Sequence, residues 1–267
     1  MVTLGNEKLG QQRSVLTAHS GDEGTPLQVG SDDTSVTSAL TESLRRTPPS
    51  LHGRQEFWGL AWAALAWLET NVQPGMATLE TGAGASTMIF AASGAHHEAI
   101  TPDAEEERRI RSACAKRGID DTHVTFHLAR SQDVLPGLTG PSLDLVLVDG
   151  AHGFPYPILD WWYLAPRLKT GGRMLLDDAY LPSVAAIVDY VRASEAWELE
   201  GAISFRTVCI RKLRDEEPPT DADALAAHGR MSFSYLPRGR RVIVSARMRV
   251  FSTRAGLWIV RKLRAPR

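Results

Sequence analysis

Acidic side chains follow three separate apolar runs of the sequence. Glu80 ends the first run, Asp149 follows the second, and the pair Asp177 and Asp178 follows the third. Because the carboxyl ends of parallel strands meet at one edge of a sheet, we expect these carboxylates to lie close together. Like charges raise one another's pKa unless a cation or a proton neutralises them. The pattern predicts a site for Mg²⁺ or a similar hard cation, with helix capping or loop hydrogen bonds as the alternative role.

A glycine turn lies directly after the first of these runs. Gly82 and Gly84 allow the backbone to approach a ligand, and a helix beginning near Ala85 directs free N–H groups toward it. A dinucleotide fingerprint needs a third glycine for close packing of helix and strand, and Thr87 stands at that position. The turn therefore indicates a nucleotide-type ligand other than a nicotinamide dinucleotide, with Glu80 suited to accept from an ammonium or a hydroxyl group.

Strand and helix patterns alternate along the middle of the chain. Apolar runs bounded by turn residues alternate with segments of helical periodicity, which is typical of right-handed crossovers between parallel strands. Two final strands, 197–205 and 207–213, are joined only by Arg206, which predicts an antiparallel addition at the edge of the sheet. We therefore expect an α/β fold: a Rossmann-like, doubly wound, seven-stranded and mostly parallel sheet with an antiparallel edge strand, in three α/β/α layers.

The flanking segments differ in composition from this central part. Residues 1–47 are polar without a sustained period and predict a flexible leader, and residues 48–214 form the predicted catalytic domain. Its first segment, 54–71, has an apolar and aromatic helical face, which favours core packing over a role as a substrate lid. Residues 215–267 are interpreted as a linker and a basic C-terminal extension. The extension could bind an anionic membrane surface or an acidic partner, be solvated, or form a hairpin at 242–250.

The composition of the whole chain excludes some classes of function. Thirty basic and 31 acidic residues leave a net charge of -1, which argues against nucleic acid as a partner. Cys114 and Cys209 have no metal-type spacing, which is typical of a reducing compartment, and we expect a cytoplasmic protein. The sequence shows neither an apolar run long enough to cross a membrane nor the pattern of an export signal. Its oligomeric state is left open.

Three stretches resemble known groups of enzymes. The run Leu79–Ser86 resembles the first motif of class I S-adenosylmethionine-dependent methyltransferases, E/D-x-G-x-G-x-S, which surrounds the methionine end of the cofactor. Residues 126–152 resemble catechol O-methyltransferase-like enzymes. The D-G-x-H run beginning at Asp149 and the pair Asp177 and Asp178 resemble the bacterial methyltransferase 24 group. The resemblance covers about residues 74–212 and concerns neither the leader nor the extension.

The resemblance implies roles for individual residues. Carried over by position, the cofactor-binding residues would be Glu80, Gly82, Ala83, Gly84, Ser86, Thr101, Ser131, Gln132 and Asp149, with Ser131 and Gln132 facing the adenine. Thr101 stands where many of these enzymes have an acid for the ribose, and Glu98 and Asp103 are alternatives. A catechol-type metal site would use Asp149, Asp177 and Asp178, although the family has Asn at the last of these positions. His152 would be the catalytic base, or else a residue that fixes a loop or contacts the cofactor.

The implied reaction is the attack of a substrate oxygen on the sulfonium methyl group of S-adenosylmethionine. We expect O-methylation of a small-molecule hydroxyl, in a sugar, a phenol or a secondary metabolite, assisted by a divalent cation. One alternative is methylation without a metal, in which the acids hold loops and cofactor. The other is a non-catalytic cofactor-binding module whose basic extension recruits a partner or a membrane.

Overall fold

A computed structural model of the chain describes residues 39–52 and 59–216, together with Gly239. Seven strands form one sheet in the order β3-β2-β1-β4-β5-β7-β6, and all neighbouring pairs from β3 to β5 are parallel. The strands are β1 (Ala77–Thr81), β2 (His96–Ile100), β3 (Val124–His127), β4 (Leu143–Val148), β5 (Leu168–Leu176), β6 (Trp197–Ala202) and β7 (Val208–Lys212). The predicted Rossmann-like, doubly wound architecture is confirmed.

The centre of the sheet is formed by its most apolar sequences. Strand β4 has five buried residues of six, because it lies between β1 and β5 with helices over both faces. Strand β7 is antiparallel to both β5 and β6, as the short connection around Arg206 predicts. The direction of the chain across the sheet reverses between β1 and β4, which places the switch point beside the glycine turn.

Helices cover both faces of the sheet. Leu44, Leu65, Met88 and Ile110 belong to one buried apolar cluster, formed with the first four helices, and Leu164 belongs to the other, formed with the later ones. The helices are α1 (Ala39–Arg46), α2 (Trp62–Asn71), α3 (Ala85–Ala92), α4 (Ala104–Lys116), α5 (Ser131–Val134), α6 (Tyr156–Leu164) and α7 (Pro182–Ala193), with a 3-10 turn at Leu135–Gly137. This arrangement is the expected three-layer α/β/α sandwich.

The end of the predicted leader is part of the folded domain. Residues 39–46 form α1, which corrects the leader boundary at 47, and Leu44 is fully buried. Glu69 of α2 fixes the start of α1, because its carboxylate accepts hydrogen bonds from the backbone N–H groups of Leu40 and Thr41 at 2.9 and 2.7 Å. A long-range carboxylate therefore anchors a helix whose own sequence showed no sustained period.

Several sequence predictions lie outside the described residues. They concern residues 1–38 of the leader, the aromatic pair Phe57 and Trp58, and the basic extension with its hairpin at 242–250. The domain division at 214 and 215 stays a prediction. Within the described residues, no helix is both long and apolar enough to cross a membrane.

Candidate active site

The glycine turn is held against the end of strand β4. Gly82 has φ +88°, and a Cβ atom there would overlap the carbonyl oxygen of Asp149 and lie 3.0 Å from its carbonyl carbon. The backbone N–H of Asp149 donates to the carbonyl of Thr81 at 3.0 Å, and that of Gly82 donates to Ile100 at 2.9 Å. Gly82 is thus required by close contact between two strand ends, a reason that adds to the ligand approach predicted from the sequence.

Glu80 lies beneath the turn and holds its helix. The side chain is 1% exposed, its Oε2 atom accepts from the Ser86 hydroxyl at 2.6 Å, and its Oε1 atom accepts from the Thr87 hydroxyl. The Thr87 hydroxyl in turn accepts from the backbone N–H of Gly84 at 2.9 Å, and His97 Nε2 lies 3.2 Å from Glu80 Oε1. Both carboxylate oxygens therefore have partners within the chain, so Glu80 and Ser86 shape the turn in addition to any contact with a cofactor.

Glu106 of helix α4, which no sequence pattern singled out, lies beside the end of strand β2. The Thr101 hydroxyl donates to Glu106 Oε2 at 2.6 Å, and His52 Nδ1 lies 2.6 Å from Glu106 Oε1. The His52 ring also covers the glycine turn, because a Cβ on Gly84 would lie 3.2 Å from it. Glu106 is in the first turn of α4, one of three consecutive glutamates, and only the fold distinguishes it from its neighbours. It is a stronger candidate for the ribose than Glu98, which pairs with His127 at 2.9 Å.

The predicted adenine pair lies at the start of α5. Ser131 is the first residue of that helix, and Gln132 follows it. Behind them lies Asp160 of α6, which is 1% exposed and contacts the Ser131 and Thr81 hydroxyls without the geometry of a full hydrogen bond. Burial raises the pKa of the Asp160 carboxyl, an effect that contact with Ser131 and Thr81 partly offsets. In the sequence Asp160 is a single acid among apolar and aromatic residues, and no pattern there indicates that it lies behind Ser131.

The predicted catalytic residues meet at the carboxyl ends of strands β4 and β5. His152 Nε2 lies 3.3 Å from Asp178 Oδ2 and 3.8 Å from Asp149 Oδ1. The Ser183 hydroxyl donates to the His152 carbonyl at 2.6 Å, which fixes the backbone of this loop. Burial raises the pKa of Asp149 well above its usual value, the adjacent Asp177 carboxylate raises it further, and Arg206 opposes the shift.

Arg206 lies between the two acids that end strand β5. Its Nε atom is 3.2 and 3.0 Å from the two oxygens of Asp177 and 3.3 Å from Asp178 Oδ1, and its Nη2 atom also bonds Asp177. The Thr207 hydroxyl donates to Asp177 Oδ1 at 2.5 Å. In the sequence Arg206 is recognisable only as the connection between the last two strands, and no local pattern indicates these ion pairs.

The metal site predicted at Asp149, Asp177 and Asp178 is not supported by this geometry. Among residues 39–52 and 59–216, no group of three or more His, Cys, Asp or Glu side chains is arranged to hold a metal ion. Asp177 is fully buried, and both its oxygens already accept hydrogen bonds from Arg206 or Thr207. The acids do meet as predicted, but a guanidinium group lies where the sequence argument placed a cation.

Comparison with solved structures identifies the class of fold. Rv0187 from MTB, in a cofactor-bound form, matches with a TM-score of 0.52 at 14% identity, covering 67% of this chain and 88% of its own. A Corynebacterium glutamicum protein matches at 0.51 and 18% identity, covering 69% and 94%. A Klebsiella pneumoniae protein assigned as an O-methyltransferase matches at 0.50 and 16%, covering 67% and 91%. The fold is that of the class I S-adenosylmethionine-dependent methyltransferases.

A family match then identifies the central segment. Residues 79–179 match the methyltransferase 24 family model, described as a methyltransferase domain. The segment runs from strand β1 through the loop after strand β5, and so contains the glycine turn, His152 and the acids that follow β4 and β5. The match supports the likeness to this family that the sequence motifs indicate for the central segment. A search of the curated proteins finds no match to the chain.

Proposed function

We propose that the protein transfers a methyl group from S-adenosylmethionine to a hydroxyl oxygen of a small molecule, a sugar, a phenol or another secondary metabolite. The observation that carries this proposal is the pairing of His152 with Asp178, at 3.3 Å, beside the end of strand β4. A histidine held by a carboxylate is suited to accept a hydroxyl proton near neutral pH. The glycine turn lies at the same edge of the sheet.

The chain has donors and acceptors that fit the cofactor. The glycine turn and the first N–H groups of α3 suit the methionine end, Thr101 and Glu106 suit the ribose hydroxyls, and Ser131 with Gln132 suits the adenine. Each oxygen of Glu106 has one partner in the chain and can accept a second hydrogen bond. When bound, S-adenosylmethionine supplies the electrophilic methyl group. The conformation of the turn that would bind it is kept by its own residues, Glu80, Gly82, Ala83, Gly84 and Ser86.

In the proposed reaction His152 accepts the proton of the acceptor hydroxyl. We assign the tautomer in which Nε2–H is directed at Asp178, because this leaves the lone pair on Nδ1 for the substrate. Asp178 then orients the ring and stabilises the imidazolium that forms. A divalent cation is not part of this proposal, since two of the three acids that would hold it, Asp177 and Asp178, are paired with Arg206.

The surroundings of this pair favour an acceptor with an apolar body. Three aromatic side chains are exposed on loops at the carboxyl ends of the strands: Phe154 is 79%, Tyr180 60% and Phe205 67% exposed. The rings of Tyr180 and Phe205 stack with centroids 6.4 Å apart. Exposed rings on loops that also carry His152 and Arg206 can cover a small molecule and exclude water from it.

The test combines binding with turnover. Calorimetric titration with S-adenosylmethionine, with Mg²⁺ and with EDTA, should show one site in both conditions, and absence of binding in both would refute the proposal. A panel of phenols and sugars is then tested for release of S-adenosylhomocysteine. For an acceptor found in this way, His152→Ala should lower kcat about 10²–10⁴-fold with cofactor affinity unchanged. The matched control is His96→Ala, because His96 is exposed at the amino end of strand β2, away from the carboxyl ends of the strands.

A further inference from the structure

Arg206 is fixed in place by contacts at both its backbone and its side chain. The backbone N–H of Ala179 donates to the Arg206 carbonyl at 2.7 Å, which joins the loop after strand β5 to the loop before β7. Its Nη2 atom donates to the Gly59 carbonyl at 3.2 Å, and only 18% of the side chain is exposed. A guanidinium held from three sides keeps a defined position, whereas an arginine on the surface samples many rotamers.

The guanidinium of Arg206 donates hydrogen bonds to both oxygens of Asp177. Asp177 is fully buried and accepts from Arg206 at both oxygens, with Thr207 as a further donor to Oδ1. Mg²⁺ ordinarily keeps several water ligands, whereas Asp177 is fully buried and both its oxygens already accept hydrogen bonds from Arg206. The planar, permanently charged fork of arginine needs no such shell and matches a carboxylate directly.

We propose that Arg206 is the resident cation of this site and occupies the place that a divalent metal has in a catechol-type site. This inference rests on the proposed function, because it takes the edge around His152 as the reaction centre. Arg206 is a positioning residue: it holds Asp177 by hydrogen bonds and forms an ion pair with Asp178, and Asp178 in turn orients His152. The consequence is that methyl transfer proceeds without a metal, and that removing the guanidinium leaves acids able to bind one.

Metal binding by the full chain tests this inference without any acceptor. Protein treated with EDTA and then dialysed is titrated with Mn²⁺ and followed by electron paramagnetic resonance. The wild type should leave Mn²⁺ free, and Arg206→Ala should gain one bound Mn²⁺ that the further change Asp177→Asn removes. Arg206→Gln, which keeps a longer and polar side chain without the charge, should behave like Arg206→Ala and serves if the alanine variant unfolds. The matched control is Arg211→Ala in strand β7, whose partners Glu198 and Glu200 lie on the edge strand.

Two results would overturn the inference. The first is one bound Mn²⁺ in the wild type that Asp177→Asn removes, since Arg206 would then not replace a metal. The second is a folded Arg206→Ala or Arg206→Gln protein that leaves Mn²⁺ free. Folding is verified by thermal unfolding of each variant. Cofactor binding by calorimetry is measured on the same samples, so that failure of the proposed function and failure of this inference give different results.

Discussion

Replacement of Gly82 by alanine tests how the glycine turn is built. The residue has φ +88°, a conformation that costs an alanine about 1–2 kcal/mol. The added Cβ would also overlap the carbonyl group of Asp149, and overpacking of this kind costs about 1–3 kcal/mol. We therefore expect Gly82→Ala to lower the free energy of unfolding by about 2–5 kcal/mol in total.

Gly75 offers a matched control for the dihedral contribution. It has φ +78°, and a Cβ there would have no atom within 4 Å, so Gly75→Ala has the backbone strain without the overlap. Both variants restrict the unfolded chain equally, and that effect cancels in the comparison. The difference between the two variants, about 1–3 kcal/mol, isolates the contact between the ends of strands β1 and β4.

Urea unfolding followed by circular dichroism measures both stabilities, and calorimetry with S-adenosylhomocysteine measures binding. The shifted turn in Gly82→Ala should weaken binding at least about tenfold, which corresponds to about 1.4 kcal/mol. Gly75→Ala, in the turn before strand β1, should bind like the wild type. Equal stabilities of the two variants within about 0.5 kcal/mol, together with unchanged binding by Gly82→Ala, would refute the structural reasoning.

Two further predictions concern Asp160 and Phe205. Burial raises the pKa of Asp160 in the folded protein above its value in the unfolded chain. Stability is therefore lost as the pH rises from the unfolded pKa through the folded pKa, because folding then buries a charged carboxylate. Asp160→Asn should therefore stabilise the protein by up to about 1–3 kcal/mol at neutral pH, with the gain disappearing on acidification in urea melts; a gain that grew toward low pH would contradict this. Phe205→Ala should raise KM for an identified acceptor while leaving cofactor affinity unchanged, because the ring is 67% exposed on a loop at the carboxyl ends of the strands. An unchanged KM would show that Phe205 is not part of the acceptor site.

Residues whose roles depend on neighbours along the chain were predictable. The apolar run of strand β4 requires burial on both faces, and Gly82 in a turn after a strand indicates close backbone approach. Residues recruited from distant elements were not. Glu106 resembles two adjacent glutamates, and Asp160 is one acid within an aromatic helix. Their positions at the carboxyl ends of the strands follow from helix packing, which no local pattern records.

The sequence by itself determined the class of fold, the glycine turn after the first strand and the meeting of the acids after strands β4 and β5. Each of these follows from periodicity, glycine placement and the rule that parallel strands end at one edge. Only the tertiary structure decided how the charge of those acids is balanced. Sequence reasoning identified the electrostatic need for a cation, and the fold places Arg206, 29 residues from Asp177 in the chain, within hydrogen-bond distance of it. Charges act through space, so the partner that neutralises them is known only when the chain is folded.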